Sequence, residues 1–150
     1  MADQNENAKM LLPILKEIPL FKDLDEELHL DIIGHIVLMY YPADNQIFKE
    51  GDEGNALYIV KKGTISISRK NKETEREEML AVINPNGFFG EMALISEVPR
   101  NATAKTLEDC EVFVLNKEDF KTLMKTNVTL AEQISAAIVA RLNSDDKNKY

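Results

Sequence analysis

Cysteine and histidine are scarce in this chain, with one of the first and two of the second. A single cysteine closes no intramolecular disulfide, which fits a reducing compartment. It sits at Cys110 in a strand-like segment and reads as a small core residue rather than a reactive thiol. No apolar run has the length of a membrane span, and the polar start Met1-Ala2-Asp3-Gln4-Asn5-Glu6 lacks the basic opening of a signal peptide. Positive charge is the minority, 18 Lys and Arg against 26 Asp and Glu, a net charge of -8. That balance argues against a nucleic-acid surface, which needs a basic patch or stripe. Basic residues do cluster at Lys61-Lys62 and Arg69-Lys70-Asn71-Lys72, but acids follow at once in 73–78, as in a solvated hairpin. A cytoplasmic protein of one domain, residues 1–150, is expected, with 44% hydrophobic residues for its core. The ordered part is expected over about 9–143, between polar ends that fray.

The front of the chain reads as helical. Leu11, Leu12, Ile14, Leu15 and Ile18 suggest a short helix with Pro13 near its start and Pro19 ending it. A second helix begins after Asp23 or Asp25, either of which can cap it, with Glu26 and Glu27 in the favourable first turn. Its apolar face carries Leu28, Ile32, Ile33 and Ile36. Both histidines, His29 and His35, fall here and read as surface or partly buried helix residues, not metal ligands.

From Val37 the pattern turns to short strands divided by turns. Strands are expected at 37–41, 46–48, 56–61, 64–68, 78–83 and 110–115, with Gly51, Asp52, Gly54, Asn55 and Gly63 in the turns between them. Many short strands at near-regular spacing indicate an antiparallel barrel or jelly roll, not a βαβ sheet. Helices at 117–125 and 128–143 follow, the second with an apolar stripe of Leu130, Ile134, Ala137, Ile138 and Leu142. The fold class is therefore α+β, a β-barrel or jelly roll flanked by N-terminal helices and two C-terminal helices.

The stretch 88–104 carries the chemistry. The turn pair Asn86-Gly87 precedes it, Gly90 opens one or two helical turns over 91–96, and Pro99 forbids their continuation before a strand starts near Ala102. A helix that starts right after a glycine aims free N–H groups at an anion and lets it come close. Arg100 offers a planar fork of donors to the other side of that anion. Glu91 repels a phosphate, so its carboxylate suits a sugar hydroxyl; equally, Glu91 and Arg100 can pair to hold a loop.

The order of residues narrows the choice. Phe89-Gly90-Glu91-Met92-Ala93-Leu94, then Pro99-Arg100-Asn101-Ala102-Thr103, resembles the phosphate-binding cassette of the cyclic-nucleotide-binding domain family. That family includes kinase regulatory subunits, cyclic-nucleotide-gated channels and regulators of the catabolite-activator type. Ile47-Phe48, Gly51-Asp52, Leu57-Tyr58-Ile59-Val60 and Gly63 match its early strands and turns, and the resemblance runs from about Leu20 to Leu142. Its fold is a double-stranded β-helix with flanking helices.

The resemblance implies roles residue by residue. Arg100 would pair with the cyclic phosphate, the backbone N–H groups of Ala93 and Ala102 would complete its coordination, Glu91 would accept from the ribose 2′-hydroxyl, and Gly90 would line the sugar. Met92, with Met79 and Val82, would touch the base or sugar. Arg141, near the end of the last helix, would reach an adenine face, against the plainer reading of a solvated arginine. Asn101 departs from the family's usual Ala, Ser or Thr, where a hydroxyl favours guanine; its amide bonds either purine. The expected ligand is cyclic AMP (cAMP) ahead of cyclic GMP (cGMP), with no cofactor and no metal.

Nothing in the sequence points to turnover. A cupin enzyme would need histidine ligands on strands, and both histidines lie in the helical front end. A ligand-free interaction module of the same fold is the stronger competitor. After the last helix only 144–150 remain, so no helix-turn-helix is expected within the chain. The expected output is a regulatory action on a separate protein partner, with a homodimer through the last helix as a further possibility, and with neither nucleic acid nor membrane as partner.

Overall fold

The structure is a computed structural model that describes the backbone of residues 2–142 and the side chains of residues 6–140. Its contacts divide the described residues into a helical unit, 2–36 with 118–142, and a strand unit, 37–117.

The strand unit holds β1 (Val37–Tyr41), β2 (Gln46–Phe48), β3 (Ala56–Lys62), β4 (Ile65–Lys70), β5 (Glu77–Ile83), β6 (Phe88–Phe89), β7 (Thr103–Thr106) and β8 (Cys110–Asn116). They form two four-stranded sheets in the orders β1-β8-β3-β6 and β2-β7-β4-β5. Every pairing is antiparallel, so the expected jelly-roll-like fold is present as two sheets, not one closed barrel. Ile65 and Ile67 on β4 are fully buried, as alternation requires, and join Phe48, Tyr58, Phe89 and Val112 in one core. Ser66, between those isoleucines, is buried as well and donates its hydroxyl to the Lys105 carbonyl at 3.2 Å.

Two turns fix the frame. Gly63 has φ 91°, and a Cβ there would come within 2.5 Å of the Asp109 carbonyl oxygen and 2.6 Å of Cys110 Sγ, so only glycine fits. Asn86, with φ 75°, opens the turn that delivers β6. Its N–H donates to the Val60 carbonyl at 2.8 Å, and the Val60 N–H donates to Gly87 at 2.9 Å. Those bonds carry β3 into β6 with Tyr58 opposite Phe89. Two residues are too few to show a period, and β6 is absent from the sequence expectation.

The helical unit contains α1 (Ala2–Leu15), α2 (Glu26–Ile33), α3 (Lys117–Thr126, in this unit from Glu118) and α4 (Val128–Leu142). The first helix starts earlier than expected, at Ala2, and contains Pro13 near its end rather than its beginning. A proline there removes a bond only from the last turn, and the helix stops two residues later. Of the two capping candidates before α2, Asp25 holds the N-cap position, with no side-chain bond to the helix. His29 corrects another expectation, because it is buried at 1% exposure and its Nε2 lies 2.7 Å from the Phe21 carbonyl oxygen. The carbonyl partner offsets the cost of burying Nε2, while Nδ1 is buried without a partner among the described residues. The α4 stripe is present in buried Leu130 and Ile134, and Asn127 caps that helix through a 3.0 Å bond from the Leu130 N–H. Leu142 of that stripe and Arg141 lie outside the described side chains, and the 144–150 tail lies outside the described residues.

Candidate functional site

The stretch 88–104 folds around an arginine. Gly90 sits in the left-handed region, φ 83°, and is followed by a single 3₁₀ turn, Glu91–Leu94. The expected one or two turns over 91–96 are thus one tight turn, closed by Ala93 N–H to the Gly90 carbonyl at 3.1 Å and Ile95 N–H to the Met92 carbonyl at 3.2 Å. Ile95, at φ -125°, leaves the helical region and ends it.

Arg100 is held from both ends. Its N–H donates to the Asp52 carbonyl at 2.7 Å, and its carbonyl accepts from the Gly51 N–H at 2.8 Å, so the backbone is pinned to the turn after β2. Nearby, the Glu50 N–H donates to Thr103 Oγ1 at 2.9 Å and the Lys49 N–H to Asp52 Oδ2 at 2.9 Å. The side chain runs inward, leaving the residue 8% exposed. Nη2 donates to the Ala56 carbonyl at 2.8 Å, and the guanidinium carbon lies 4.1 Å from the Phe48 ring centre and 5.7 Å from that of Tyr58. Phe48, Tyr58 and Phe89 pack on one another, Tyr58 and Phe89 being stacked at 5.2 Å. Their faces offer a cation a favourable quadrupole in a dry setting.

Two glycines leave room for this arrangement. A Cβ on Gly90 would stand 2.7 Å from Arg100 Nη1 and 3.0 Å from the Ala56 carbonyl oxygen. A Cβ on Gly54 would stand 2.8 Å from Ala93 Cβ and 3.5 Å from the guanidinium carbon. Burial pushes the Arg100 guanidinium below its ordinary pKa, while Tyr58 and then Asp52 work in the opposite direction. Arg100 Nε is buried without a hydrogen-bond acceptor among the described residues. A buried cationic donor left in that condition is costly, and an anion brought to it would remove the cost.

Of the residues singled out from the sequence, the structure sets Gly90 directly against the Arg100 guanidinium. Glu91 is 3% exposed at the head of the 3₁₀ turn, Ala93 and Ala102 are buried, and Met92 is half-buried. Asn101 is exposed, next to the pinned arginine. Met79 and Val82 lie on β5 with 60% and 42% of their surfaces exposed. Sequence reasoning took Phe48 and Tyr58 as strand core and Gly54 as a turn residue, and missed that all three touch the arginine. No local pattern marks the two aromatic residues, because both satisfy the ordinary demands of a strand core.

Comparison with known proteins identifies the family. The family described as "Cyclic nucleotide-binding domain" matches residues 38–127. The chain is 35% identical over 133 residues to the cyclic AMP receptor protein of Thermus thermophilus, covering 88% of this chain and 61% of that one. It is 28% identical over 137 residues to human cGMP-dependent protein kinase 2, covering 91% of this chain and 18% of that one. The chain therefore spans less than two thirds of the length of these relatives. Among solved structures it resembles the N-terminal domain of a transcriptional regulator from Streptomyces coelicolor A3(2), with a TM-score of 0.76 and 29% identity, covering 87% of this chain and 90% of that one. It also resembles the regulatory domain of Toxoplasma gondii PKA crystallised with cAMP, with a TM-score of 0.71 and 30% identity, covering 79% of this chain and 44% of that one. Among the described residues no helix is long and apolar enough to cross a membrane. With more than half its length matched by that family, this chain belongs to the cyclic nucleotide-binding domain family.

Proposed function

We propose that this chain binds a cyclic purine nucleotide, cAMP in preference to cGMP, and acts as a non-catalytic regulatory domain on a separate protein partner in the cytoplasm. The observation that carries the reading is Arg100, a buried guanidinium seated between two glycines with its Nε lacking an acceptor. In this reading the cyclic phosphate meets the guanidinium and the Ala102 N–H, and Glu91 accepts from the ribose 2′-hydroxyl. Ala93 contributes after its own turn bond to Gly90 loosens. Gly90 lines the sugar and Met92 borders it, while Asn101 stands where the purine edge is read. Similar proteins named for cAMP, one of them crystallised with it, support cAMP, while the cGMP-dependent kinase among the relatives keeps cGMP as the alternative. The domain would span 1–150 as one functional body, needing no cofactor or metal, with the last helix as its variable output or dimer seam.

Removing the guanidinium tests this. Charge-assisted bonds contribute roughly 1.5–3 kcal/mol each, so Arg100→Ala should weaken cAMP binding by about one to two decades or more while the fold persists. Calorimetric titration showing unchanged affinity would rule the site out. A ligand-free interaction module of the same fold is the second reading, and the departure at Asn101 favours it. A ligand that binds only the folded state must raise the melting temperature, so the absence of any shift with saturating cAMP or cGMP would decide for that module.

A further inference from the structure

Lys117 is a buried lysine, 6% exposed, at the last position of the strand unit. Burying an ammonium is expensive unless acceptors surround it. Here Nζ donates to the Ser96 carbonyl at 2.9 Å and to Glu97 Oε1 at 3.0 Å. The backbone N–H of the same residue donates to the Asn55 carbonyl at 2.8 Å.

These partners fall on two different segments, and both lead into the Arg100 seat. Asn55 lies between Gly54, whose missing side chain leaves space for Ala93 and the guanidinium, and Ala56, whose carbonyl accepts from Nη2. Ser96 and Glu97 lie between the Glu91–Leu94 turn and Arg100 itself. The Ser96 hydroxyl further shapes that segment by accepting the Val98 N–H at 3.0 Å. One residue thus ties the segment that follows Glu91 to the segment that receives Arg100.

We propose that Lys117 is a positioning residue for the nucleotide site, whose ammonium fixes the 95–99 segment and with it the separation between Glu91 and Arg100. The proposal rests on the function proposed above for what the site binds, but not for how the seat is held. The backbone tie to Asn55 is available to any residue; the side-chain tie needs a cation of this length. Glu97 contributes less than Ser96, because its side chain is 75% exposed and its charge is shared with water.

The test uses the full chain with Lys117→Met and Lys117→Arg, titrated with cAMP by calorimetry, and with the Arg100 Nε–H and Gly90 amide resonances recorded in ligand-free protein. Lys117→Met is expected to weaken cAMP binding about tenfold, the loss of one charge-assisted bond, and to move both resonances. Lys117→Arg is expected to recover most of the affinity and leave the resonances near their original positions. A Lys117→Met protein with unchanged affinity and unchanged resonances overturns the proposal, as does one that Lys117→Arg does not rescue. If Lys117→Met fails to fold, Glu97→Lys carries the test from the exposed side by repelling the ammonium. It should move the Arg100 resonance and weaken binding severalfold, and its failure to do either overturns the proposal. If the unaltered chain binds no cyclic nucleotide, the functional reading fails, and the ligand-free resonances alone decide the role of Lys117.

Discussion

The guanidinium carbon of Arg100 stands 4.1 Å from the centre of the Phe48 ring, and Phe48 is paired in register with Ala104, four residues beyond that arginine. The loop that delivers the cation and the strand that supplies the aromatic face are therefore parts of one short ladder. Geometry of this kind discriminates between the two basic side chains, because a guanidinium stacks and forks where an ammonium does neither.

Arg100→Lys should accordingly keep the charge and lose the function. The ammonium cannot lie flat on Phe48 while reaching both the Ala56 carbonyl and a ligand phosphate. Affinity for cAMP is expected to fall about tenfold or more, close to the alanine variant and not to the parent. Calorimetry on the three proteins side by side checks this; a lysine variant within twofold of the parent contradicts it.

Gly90→Ala should cost both stability and binding. A left-handed φ imposes roughly 1–2 kcal/mol on a residue with a Cβ, and the added carbon would press on Arg100 Nη1 at 2.7 Å. Urea unfolding should show a lower midpoint with an unchanged slope, and the residual folded protein should bind cAMP more weakly. Unaltered binding would mean that the arginine can leave its seat at no cost to the site.

The strands other than β6, and their turns, were legible in the sequence, because alternation and turn residues act locally. What was not legible depends on partners distant in the chain. His29 reads as a surface or partly buried helix residue until the Phe21 carbonyl is found eight positions earlier. Gly54 reads as an ordinary turn glycine until Ala93 comes against it. Phe48 and Tyr58 satisfy the core alternation so well that nothing local marks them as the arginine's aromatic wall. The two-residue β6 exists only because the Asn86-Gly87 turn is bonded to Val60.

Asn101→Thr should alter which purine is preferred. Position 101 is exposed beside the pinned arginine, so the exchange opens no cavity in the core. One neutral hydrogen bond contributes about 0.5–1.5 kcal/mol, so the ratio of cGMP to cAMP affinity should rise roughly two- to tenfold. Competition titrations with both nucleotides measure that ratio, and an unchanged ratio removes Asn101 from the reading of the base.

Alkaline pH should loosen the strand unit. Burial pushes the Tyr58 hydroxyl above its usual 10.0, with Arg100 opposing it only in part. Burial likewise raises the Cys110 thiol above 9.0, against the bond to the Thr64 carbonyl. Both groups hold their protons more tightly when folded, so their contribution is complete below the unfolded values. It is lost as pH rises past about 9 for the thiol and 10 for the phenol, toward the folded values. Urea midpoints taken from pH 8 upward should decline over that range, and Tyr58→Phe should decline less steeply. A parallel decline in the two proteins would place the alkaline sensitivity elsewhere.

Gly54 and Gly90 border the guanidinium at positions where even one added carbon collides with a neighbour. In a mutational survey, positions 54, 90 and 100 would therefore behave as a block in which no member changes alone. The neighbouring residue at 101 is exposed, with no glycine required there. In the proposed site, selection for a different nucleotide would leave the anion's seat untouched and act on the side chain beside it, so strength of capture and choice of base can evolve on separate schedules.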